Sequence, residues 1–361
     1  MCLGHTLLPR SLHFELPGDA IGDFQCKGGF ADVLKYECHG HEVAVKALRV
    51  NAQALQEVTK MFYKEVITWK NLRHPNVLPL LGVVMTENKF AMISEWMTNG
   101  NINQFVRARR DANRFQLVTD VAEGLIHMHR NGMIHGDLKG ENILIDQTGS
   151  ARLADFGLLT ITSDTTNITS SNSFLEGGTY LRMSPELLDP EKFNFKDNRP
   201  TKSSDCYALG MTVYEVLSGR LPFYHYEDCT SYFIIAKVLD GAHPQRPQGA
   251  EGTWFINAVW SILERCWATN PADRPKVKDV RRCMEKNARS WIPARQVTTG
   301  SATADSSGRG MLHEGGASSS EATLRLLPGL SLEGDANKIR YLLSLTIPQF
   351  PLATPWTRPL G

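Results

Sequence analysis

Three side chains that carry oxygen atoms occupy positions that suit phosphate chemistry. The segment HGDLKGENILI places Asp137 and Asn142 five residues apart, directly before the apolar run 143–145. Asp155 follows eighteen residues after Asp137 and begins an Asp-Phe-Gly triplet. Carboxylate and amide oxygens, together with phosphate oxygens and water, are the ligands that Mg²⁺ prefers. Asn142 and Asp155 are therefore the predicted metal ligands, and Asp137 is left to accept a proton.

A lysine and a glutamate earlier in the chain supply charges for holding a polyphosphate. The segment VAVK places Lys46 in a predicted strand, and Glu65 follows nineteen residues later in a predicted helix. An ion pair with Glu65 would aim the ammonium of Lys46 at phosphate oxygens. Taken alone, each residue has a simpler interpretation, because lysine and glutamate are mostly found exposed at the surface.

A pair of glycines lies between two predicted strands, in the segment CKGGFADV that runs from Cys26 to Val33. Without side chains, Gly28 and its neighbour would allow backbone N–H groups to close over phosphate groups. A Gly-Gly pair is more often an ordinary turn, so this segment alone is a weak indication.

The elements that must position these residues fall into two groups. Residues 19–50 are rich in short, strand-like apolar runs, and residues 55–72 have apolar residues at helical spacing. Two more strand-like runs, VLPLLGVVM and FAMISEWM, follow, and longer helical patterns begin after Gly100. The sequence therefore predicts an α+β fold with two lobes, a small antiparallel sheet with one helix and then a larger helical lobe.

Taken in order, these motifs resemble those of the protein kinase superfamily. The resemblance continues beyond Asp-Phe-Gly in Ser-Pro-Glu at 184–186, in SDCYALG and in CWATNPADRP. HGDLKGEN and VAVKALR are most similar to the tyrosine-kinase-like group, whose members mostly phosphorylate Ser and Thr. The resemblance implies a kinase domain at 19–292, divided into an N-lobe at 19–97 and a C-lobe at 98–292.

The ends of the chain lie outside this resemblance. Residues 1–18 are predicted to be an N-terminal extension. Residues 293–361 are predicted to be a disordered tail, because much of this stretch is rich in Ser, Gly, Thr and Ala and cannot bury enough apolar surface to offset its ordering entropy.

The resemblance also implies a role for each site residue, with ATP and Mg²⁺ as the cofactors and a protein as the substrate. Asp137 would be the catalytic base, and Lys139 would steady the γ-phosphate. Lys46 would position the phosphates and Glu65 would orient Lys46. The residues that would contact the bound nucleotide and its metal are Cys26, Gly28, Ala31, Val33, Ala44, Lys46, Glu95, Met97, Asn142 and Asp155.

Other positions refine these expectations. Lys139 and Thr179 are typical of kinases that act on Ser and Thr. Asp205 would tie down the loop that carries Asp137. Arg274 would pair with Glu186 of the Ser-Pro-Glu motif.

Several positions depart from the kinase pattern. Cys26 and Ala31 replace two glycines, which predicts a stiffer phosphate lid and weaker binding of ATP. Gly136 replaces an arginine that grips a phosphate in many kinases, so we expect only modest dependence on phosphorylation of the following segment. Leu181 and Arg182 replace the usual Arg-Trp pair, which predicts an unusual peptide preference.

Composition excludes other classes of function. The 39 basic and 38 acidic residues give a net charge of +1, so no global field attracts nucleic acid or membrane. A small cluster at Arg107, Arg109 and Arg110 is interpreted as a solvated helix face. Seven scattered cysteines without paired spacing indicate free thiols in the cytoplasm, with the nucleus as an alternative. No apolar run is long enough to cross a bilayer.

Two functions therefore remain. The first is an active Ser/Thr protein kinase in intracellular signalling. The alternative is a pseudokinase scaffold that binds nucleotide or partners without turnover, which the replaced glycines and the altered Arg-Trp pair favour. The complete set of catalytic residue types favours the first, because a scaffold has no physical need for buried carboxylates beside a phosphate site.

Overall fold

The strand-like runs of the N-terminal part form one sheet with a helix beside it. The computed structural model describes residues 13–14, 31–38, 41–48, 55–86, 89–155 and 178–292. The first elements are β1 (His13–Phe14), β2 (Ala31–Cys38), β3 (His41–Leu48), α1 (Leu55–Lys70), β4 (Leu80–Thr86) and β5 (Lys89–Glu95). The five strands are ordered β1-β4-β5-β3-β2. Every neighbouring pair is antiparallel except β1 with β4, which is parallel.

The two faces of β3 have different surroundings. Val43 and Ala47 belong to a small apolar cluster on one face of the sheet. Lys46 points to the opposite face, because side chains alternate along a strand. Helix α1 buries Phe62 and Val66 in the main core of the protein. Glu65 lies beside Val66 on this helix and is itself buried, so β3 and α1 bring the predicted ion pair together.

Helices dominate the rest of the described chain. The longer helices are α2 (Ile102–Ala108), α3 (Arg114–Arg130), α5 (Lys202–Ser218), α6 (Ser231–Leu239), α8 (Asn257–Cys266) and α9 (Val277–Ser290), and the short ones are α4 (Pro185–Leu188) and α7 (Gly249–Gly252). A small antiparallel hairpin of β6 (Ile143–Ile145) and β7 (Ala151–Leu153) lies between α3 and α4.

Helix α5 is the centre of the helical lobe. All but the first two of its residues are buried, and it packs against α2, α3 and α8. A helix that is buried on all of its faces is expected only where protein surrounds it on all sides. Its first turn nevertheless carries the buried carboxylate of Asp205. The central helix therefore holds a buried polar group within the core of the lobe.

The predicted α+β, two-lobed fold is confirmed. Strand β1 lies within residues 1–18, so part of the predicted N-terminal extension joins the sheet. Residues 293–361 lie outside the described residues, as do Cys26 and Gly28, and the domain limits remain predictions. Among the described residues, no helix is both long enough and apolar enough to span a membrane.

Candidate active site

The loop that carries Asp137 is held by a carboxylate of the central helix. Asp205 accepts hydrogen bonds from the backbone N–H groups of His135 and Gly136, both at 2.9 Å. The Oδ2 atom that accepts from His135 also lies 2.8 Å from Nε2 of His129 on α3. Gly136 has a φ of 79°, a left-handed conformation that favours glycine over a residue with a side chain. The contact predicted for Asp205 is therefore present, and it fixes the backbone just before Asp137.

The side chain of Asp137 contacts two polar side chains, Asn142 and Lys139. Asn142 donates from Nδ2 to the carbonyl oxygen of Asp137 at 2.8 Å and to its Oδ2 at 3.0 Å. Lys139 forms an ion pair with Oδ2 of Asp137 at 2.7 Å. The same ammonium donates to the hydroxyl of Thr179 at 3.1 Å. Because the amide nitrogen of Asn142 is committed to Asp137, its amide oxygen is the atom that remains to bind a cation.

The hairpin of β6 and β7 brings the two predicted metal ligands to the same place. Ile143 pairs with Leu153, and the backbone N–H of Ala154 donates to the carbonyl oxygen of Asn142 at 2.9 Å. Asn142 directly precedes β6 and Asp155 lies two residues after β7, so both residues are at the same end of the hairpin. Asp155 has a φ of 55°, an uncommon value for a residue other than glycine. Such strain is frequent at functional sites.

Lys46 joins the two lobes through charge. Its ammonium lies 2.7 Å from Oδ1 of Asp155 and 3.6 Å from Oε1 of Glu65. Burial favours the neutral amine, but the two carboxylates outweigh this effect and raise the pKa of Lys46. Desolvation by the surrounding protein raises the pKa of Asp155, but the positive charge of Lys46 has the larger effect, so the net pKa of Asp155 is lowered. Lys46 and Asp155 are therefore both charged at neutral pH.

Glu65 is in a less favourable environment. Burial raises its pKa by more than the charge of Lys46 lowers it. Its Oε2 atom is buried and has no hydrogen-bond partner among the described residues. The carboxylate thus reaches Lys46 with only one oxygen, at the longer of the two ion-pair distances.

The donor atoms at this site fit a hard divalent cation. Asn142 and Asp155 offer one amide oxygen and one carboxylate, which suits Mg²⁺ because this ion keeps several waters and takes few protein ligands. Within the described ranges, no group of three or more His, Cys, Asp or Glu side chains is arranged to hold a metal.

The predicted nucleotide-contacting residues of β2 and β3 lie on the face that carries Lys46. Val33 is paired with Lys46 across β2 and β3, and Ala44 is paired with Ser94 of β5. The side chain of Val33 is unusually open for an apolar residue, at 45% exposure. Ala31 is buried and lies two residues before Val33 on the same face of β2. The other predicted contacts near the sheet are Glu95, which is exposed and pairs with Val43 on the opposite face, and Met97, which is buried just after β5.

A sequence profile for protein tyrosine and serine/threonine kinases matches residues 23–284. The chain belongs to this family. Among its relatives are serine/threonine-protein kinase STY17 of Arabidopsis thaliana, with 27% identity over 76% of this chain and 47% of the relative. Dual specificity protein kinase zakA of Dictyostelium discoideum has 28% identity over 69% of this chain and 32% of the relative. Cytokinesis protein sepH of Aspergillus niger has 32% identity over 71% of this chain and 18% of the relative. The chain thus spans less than half the length of each of them.

A second contact expected of a kinase is also present. Arg274 forms two parallel hydrogen bonds with the carboxylate of Glu186, at 2.6 and 2.7 Å. Both side chains are almost fully buried, and Arg274 also donates to the carbonyl oxygen of Ser203 at 3.1 Å. A bidentate pair of this kind is strong and directional. It fixes the Ser-Pro-Glu segment to Arg274, which lies just before α9. Through Ser203, Arg274 also connects this segment to the first turn of α5.

Sequence reasoning missed three buried polar residues around the kinase site. Asn103 on α2 and Glu215 on α5 are hydrogen-bonded to each other at 2.7 Å. Asp146 follows β6 and accepts hydrogen bonds from Thr148 and Ser150. A single glutamate in the apolar pattern of α5 was the available signal for the first pair. The turn sequence Asp-Gln-Thr-Gly-Ser was the signal for Asp146.

Proposed function

We propose that this chain is an ATP-dependent protein kinase that transfers the γ-phosphoryl group of ATP to Ser or Thr hydroxyls of protein substrates. The observation that carries the proposal is the 2.7 Å contact between Lys46 and Asp155. It joins the predicted phosphate-binding residue of the sheet to a predicted metal ligand of the helical lobe. Asp137 and Asn142 are hydrogen-bonded to each other on the adjoining loop.

The residues around this contact suit phosphoryl transfer, which depends mainly on positioning and charge stabilisation. In our proposal Lys46 holds the phosphate oxygens of ATP, and Glu65 orients Lys46. Asp137 accepts the proton of the substrate hydroxyl as the oxygen bonds to the γ-phosphorus, and the ADP oxygen leaves. A divalent ion, which we propose to be Mg²⁺ on Asn142 and Asp155, would supply positive charge at the phosphates when bound.

The proposed acceptor is Ser or Thr because of the surroundings of Lys139. Its ammonium contacts both Asp137 at 2.7 Å and Thr179 at 3.1 Å. It therefore lies beside the proposed base, where it would meet the γ-phosphate. STY17 is named as a serine/threonine kinase and zakA as a dual specificity kinase. Tyrosine is consequently the acceptor against which the proposal has to be tested.

The proposed location is the cytoplasm, with the nucleus as the alternative. Cytoplasmic proteins keep their cysteines reduced. The four cysteines whose side chains are described, Cys206, Cys229, Cys266 and Cys283, are free thiols. Cys206 and Cys266 lie with their sulfur atoms 3.9 Å apart, too far for a covalent bond.

A transfer assay with two matched variants tests the proposed function. The purified full chain is incubated with labelled Mg-ATP and a generic protein substrate, and the labelled amino acid is identified after hydrolysis. We expect label on Ser or Thr, loss of transfer in Asp155→Asn, and unchanged transfer in Asp111→Asn, which alters an exposed aspartate by the same chemistry.

Other outcomes would contradict parts of the proposal. Label on Tyr alone would overturn the assignment of the acceptor. If the wild-type chain binds nucleotide but transfers no more label than Asp155→Asn, the proposed catalysis would be overturned and a binding scaffold favoured. The direct measurement of nucleotide affinity beside the transfer assay separates these results.

A further inference from the structure

A buried arginine lies where the kinase pattern has a tryptophan. Arg182 ends the 3₁₀ turn Thr179–Arg182, and only 4% of its surface is exposed. Its guanidinium donates to both carboxylate oxygens of Glu215, at 2.6 Å through Nη2 and 3.3 Å through Nε. Nη1 donates to the carbonyl oxygen of Gly178 at 3.0 Å. One side chain therefore connects the central helix α5 to the backbone that precedes Thr179.

The carboxylate that binds Arg182 is fixed from the other side as well. Glu215 accepts a hydrogen bond at 2.7 Å from Nδ2 of Asn103, a buried residue of α2. Asn103 in turn packs against Gly140 of the catalytic loop. A Cβ atom at Gly140 would lie 2.4 Å from the amide of Asn103, so only glycine fits there without a shift. The network thus runs from the 3₁₀ turn Thr179–Arg182 through α5 and α2 to the loop that carries Asp137.

The same turn reaches Asp137 by a second route. Gly178, whose carbonyl oxygen Arg182 holds, is followed directly by Thr179. The hydroxyl of Thr179 accepts from Lys139 at 3.1 Å, and Lys139 pairs with Asp137 at 2.7 Å. An unbroken series of contacts therefore links Arg182, through Gly178 and Thr179, to Lys139 and Asp137.

We propose that Arg182 is a positioning residue for phosphoryl transfer, acting through the Gly178 carbonyl and Thr179 to hold Lys139 beside Asp137. The proposal rests on the proposed kinase function and extends it to a residue outside the predicted site. Arg182 does not touch the base itself in the described contacts. Its effect is expected on the reaction rate, with little change in the binding of ATP at Lys46.

The cost of the arrangement supports a positional role. Removing two charges from water is expensive, and a buried ion pair is often no more stable than a well-packed apolar pair. An apolar side chain at this position would avoid that cost. What the arginine adds is direction, since a planar guanidinium can hold a carboxylate and a backbone carbonyl at the same time.

The test compares Arg182→Met and Arg182→Lys with the wild-type chain in the transfer assay. Methionine keeps length and apolar volume but cannot hold the Gly178 carbonyl. We expect Arg182→Met to lower kcat about 10- to 100-fold, since small misplacements of reacting groups have effects of this size. KM for ATP stays within about twofold of wild type, because Lys46, Glu65 and Asp155 are untouched. Arg182→Lys recovers part of the lost rate.

A double-mutant cycle with Thr179→Val identifies the route. If Arg182 acts through Thr179, the double variant loses about as much kcat as the more impaired single variant. Effects that multiply would overturn the proposed route. Arg107→Met, which changes an exposed arginine of α2, is the matched control and is expected to keep the wild-type rate.

A second variant separates positioning from stability. Arg182→Met leaves Glu215 as an unpaired buried charge, which could unfold the protein. The pair Arg182→Met with Glu215→Gln removes that charge and keeps an acceptor for Asn103. We expect it to unfold at nearly the wild-type temperature but to remain as slow as Arg182→Met. A double variant with the wild-type kcat would overturn the inference, whereas a wild-type chain that transfers no phosphate would overturn the proposed function.

Discussion

The two sides of the proposed active site are held in different ways. On the side of the substrate hydroxyl, Asp205 anchors the catalytic loop through two backbone N–H groups at 2.9 Å. Asn142 then fixes Asp137 through two further hydrogen bonds. On the side of the phosphates, Lys46 is held only by ion pairs with side chains: its ammonium donates a hydrogen bond to Asp155 at 2.7 Å and lies 3.6 Å from Glu65, with no backbone group fixing either carboxylate in the described contacts.

This difference indicates which side of the site changes its arrangement when nucleotide and metal bind. Hydrogen bonds to the backbone fix a group before the substrate arrives, and such preorganisation is the main electrostatic source of catalysis. The phosphate side contains a buried carboxylate oxygen of Glu65 without a partner in the described chain, and burial raises the pKa of that group. We therefore expect the base to be in place in the free protein, whereas Lys46 and Glu65 adjust when nucleotide and metal bind.

Replacing the proposed base gives the largest expected effect. Asp137→Asn keeps the size of the side chain but cannot accept a proton. We expect kcat to fall about 10²- to 10⁴-fold, the range of general acid–base catalysis. Because the phosphate side is untouched, KM for ATP is expected to stay near the wild-type value. Steady-state kinetics with varied ATP checks both parameters.

One result for Asp137→Asn would contradict the distinction between the catalytic-loop side and the phosphate side. If ATP affinity measured by calorimetry fell together with kcat, the two sides would not be independent. Asp111→Asn is again the control for introducing an asparagine at an exposed site.

Removing the ammonium of the phosphate side is expected to have the next largest effect. Lys46→Met keeps the length of the chain and loses the charge. We expect a fall in kcat/KM of about 10²- to 10³-fold, comparable with the loss of one electrostatic contact to a developing charge. Asp155 then loses its only ion-pair partner within the described residues. Equal kcat/KM for this variant and wild type would show that Lys46 does not touch the phosphates.

Glu65→Gln is expected to lower the reaction rate by a smaller factor and not to lower the unfolding temperature. The amide removes a buried negative charge but keeps an oxygen near Lys46. We expect kcat to fall by less than in Lys46→Met, because Asp155 still holds the ammonium at 2.7 Å. The unfolding temperature of the nucleotide-free protein is not expected to fall, since the charge at this position is disfavoured by burial.

Differential scanning fluorimetry with and without Mg-ATP checks this prediction. A clear drop in the unfolding temperature of free Glu65→Gln would mean that the ion pair with Lys46 stabilises the fold. The phosphate side would then resemble the catalytic loop instead of contrasting with it.

The sequence predicted the residues that carry fixed local motifs better than the contacts between distant ones. Asp137 and Asn142 are close in the chain, and the hairpin after them brings Asp155 to the same place, so order and spacing were enough to group them. Lys46 and Glu65 could be paired from the kinase resemblance. These assignments of roles remain predictions, although the structure brings the five side chains into neighbouring contacts.

The network around Arg182 could not be predicted in the same way. Arg182 and Glu215 are separated by 33 residues, and Asn103 and Glu215 by 112. Arg182 and Asn103 look like surface residues when read locally, because arginine and asparagine are mostly exposed. Glu215 stands out only as a single glutamate in the apolar pattern of α5, which does not name its partners. Only packing decides that they are buried against one another, and packing depends on side chains from several elements at once.

The smallest expected effect concerns Asp146, which stabilises the hairpin end without touching the reacting groups. Burial raises its pKa, but hydrogen bonds from Thr148 and Ser150 and the charge of Arg152 outweigh this and lower it. A carboxylate with a lowered pKa stabilises the fold above its unfolded-state pKa, about 3.9, and this contribution is lost as pH falls through the folded-state value. We expect Asp146→Asn to reduce the free energy of unfolding by about 1–3 kcal/mol at pH 7. Urea titrations between pH 3 and 7 should show this difference shrinking only at the acidic end, with kcat unchanged at pH 7. A difference that stays constant down to pH 3 would show that the charge of Asp146 contributes nothing, and that the hairpin relies on neutral hydrogen bonds alone.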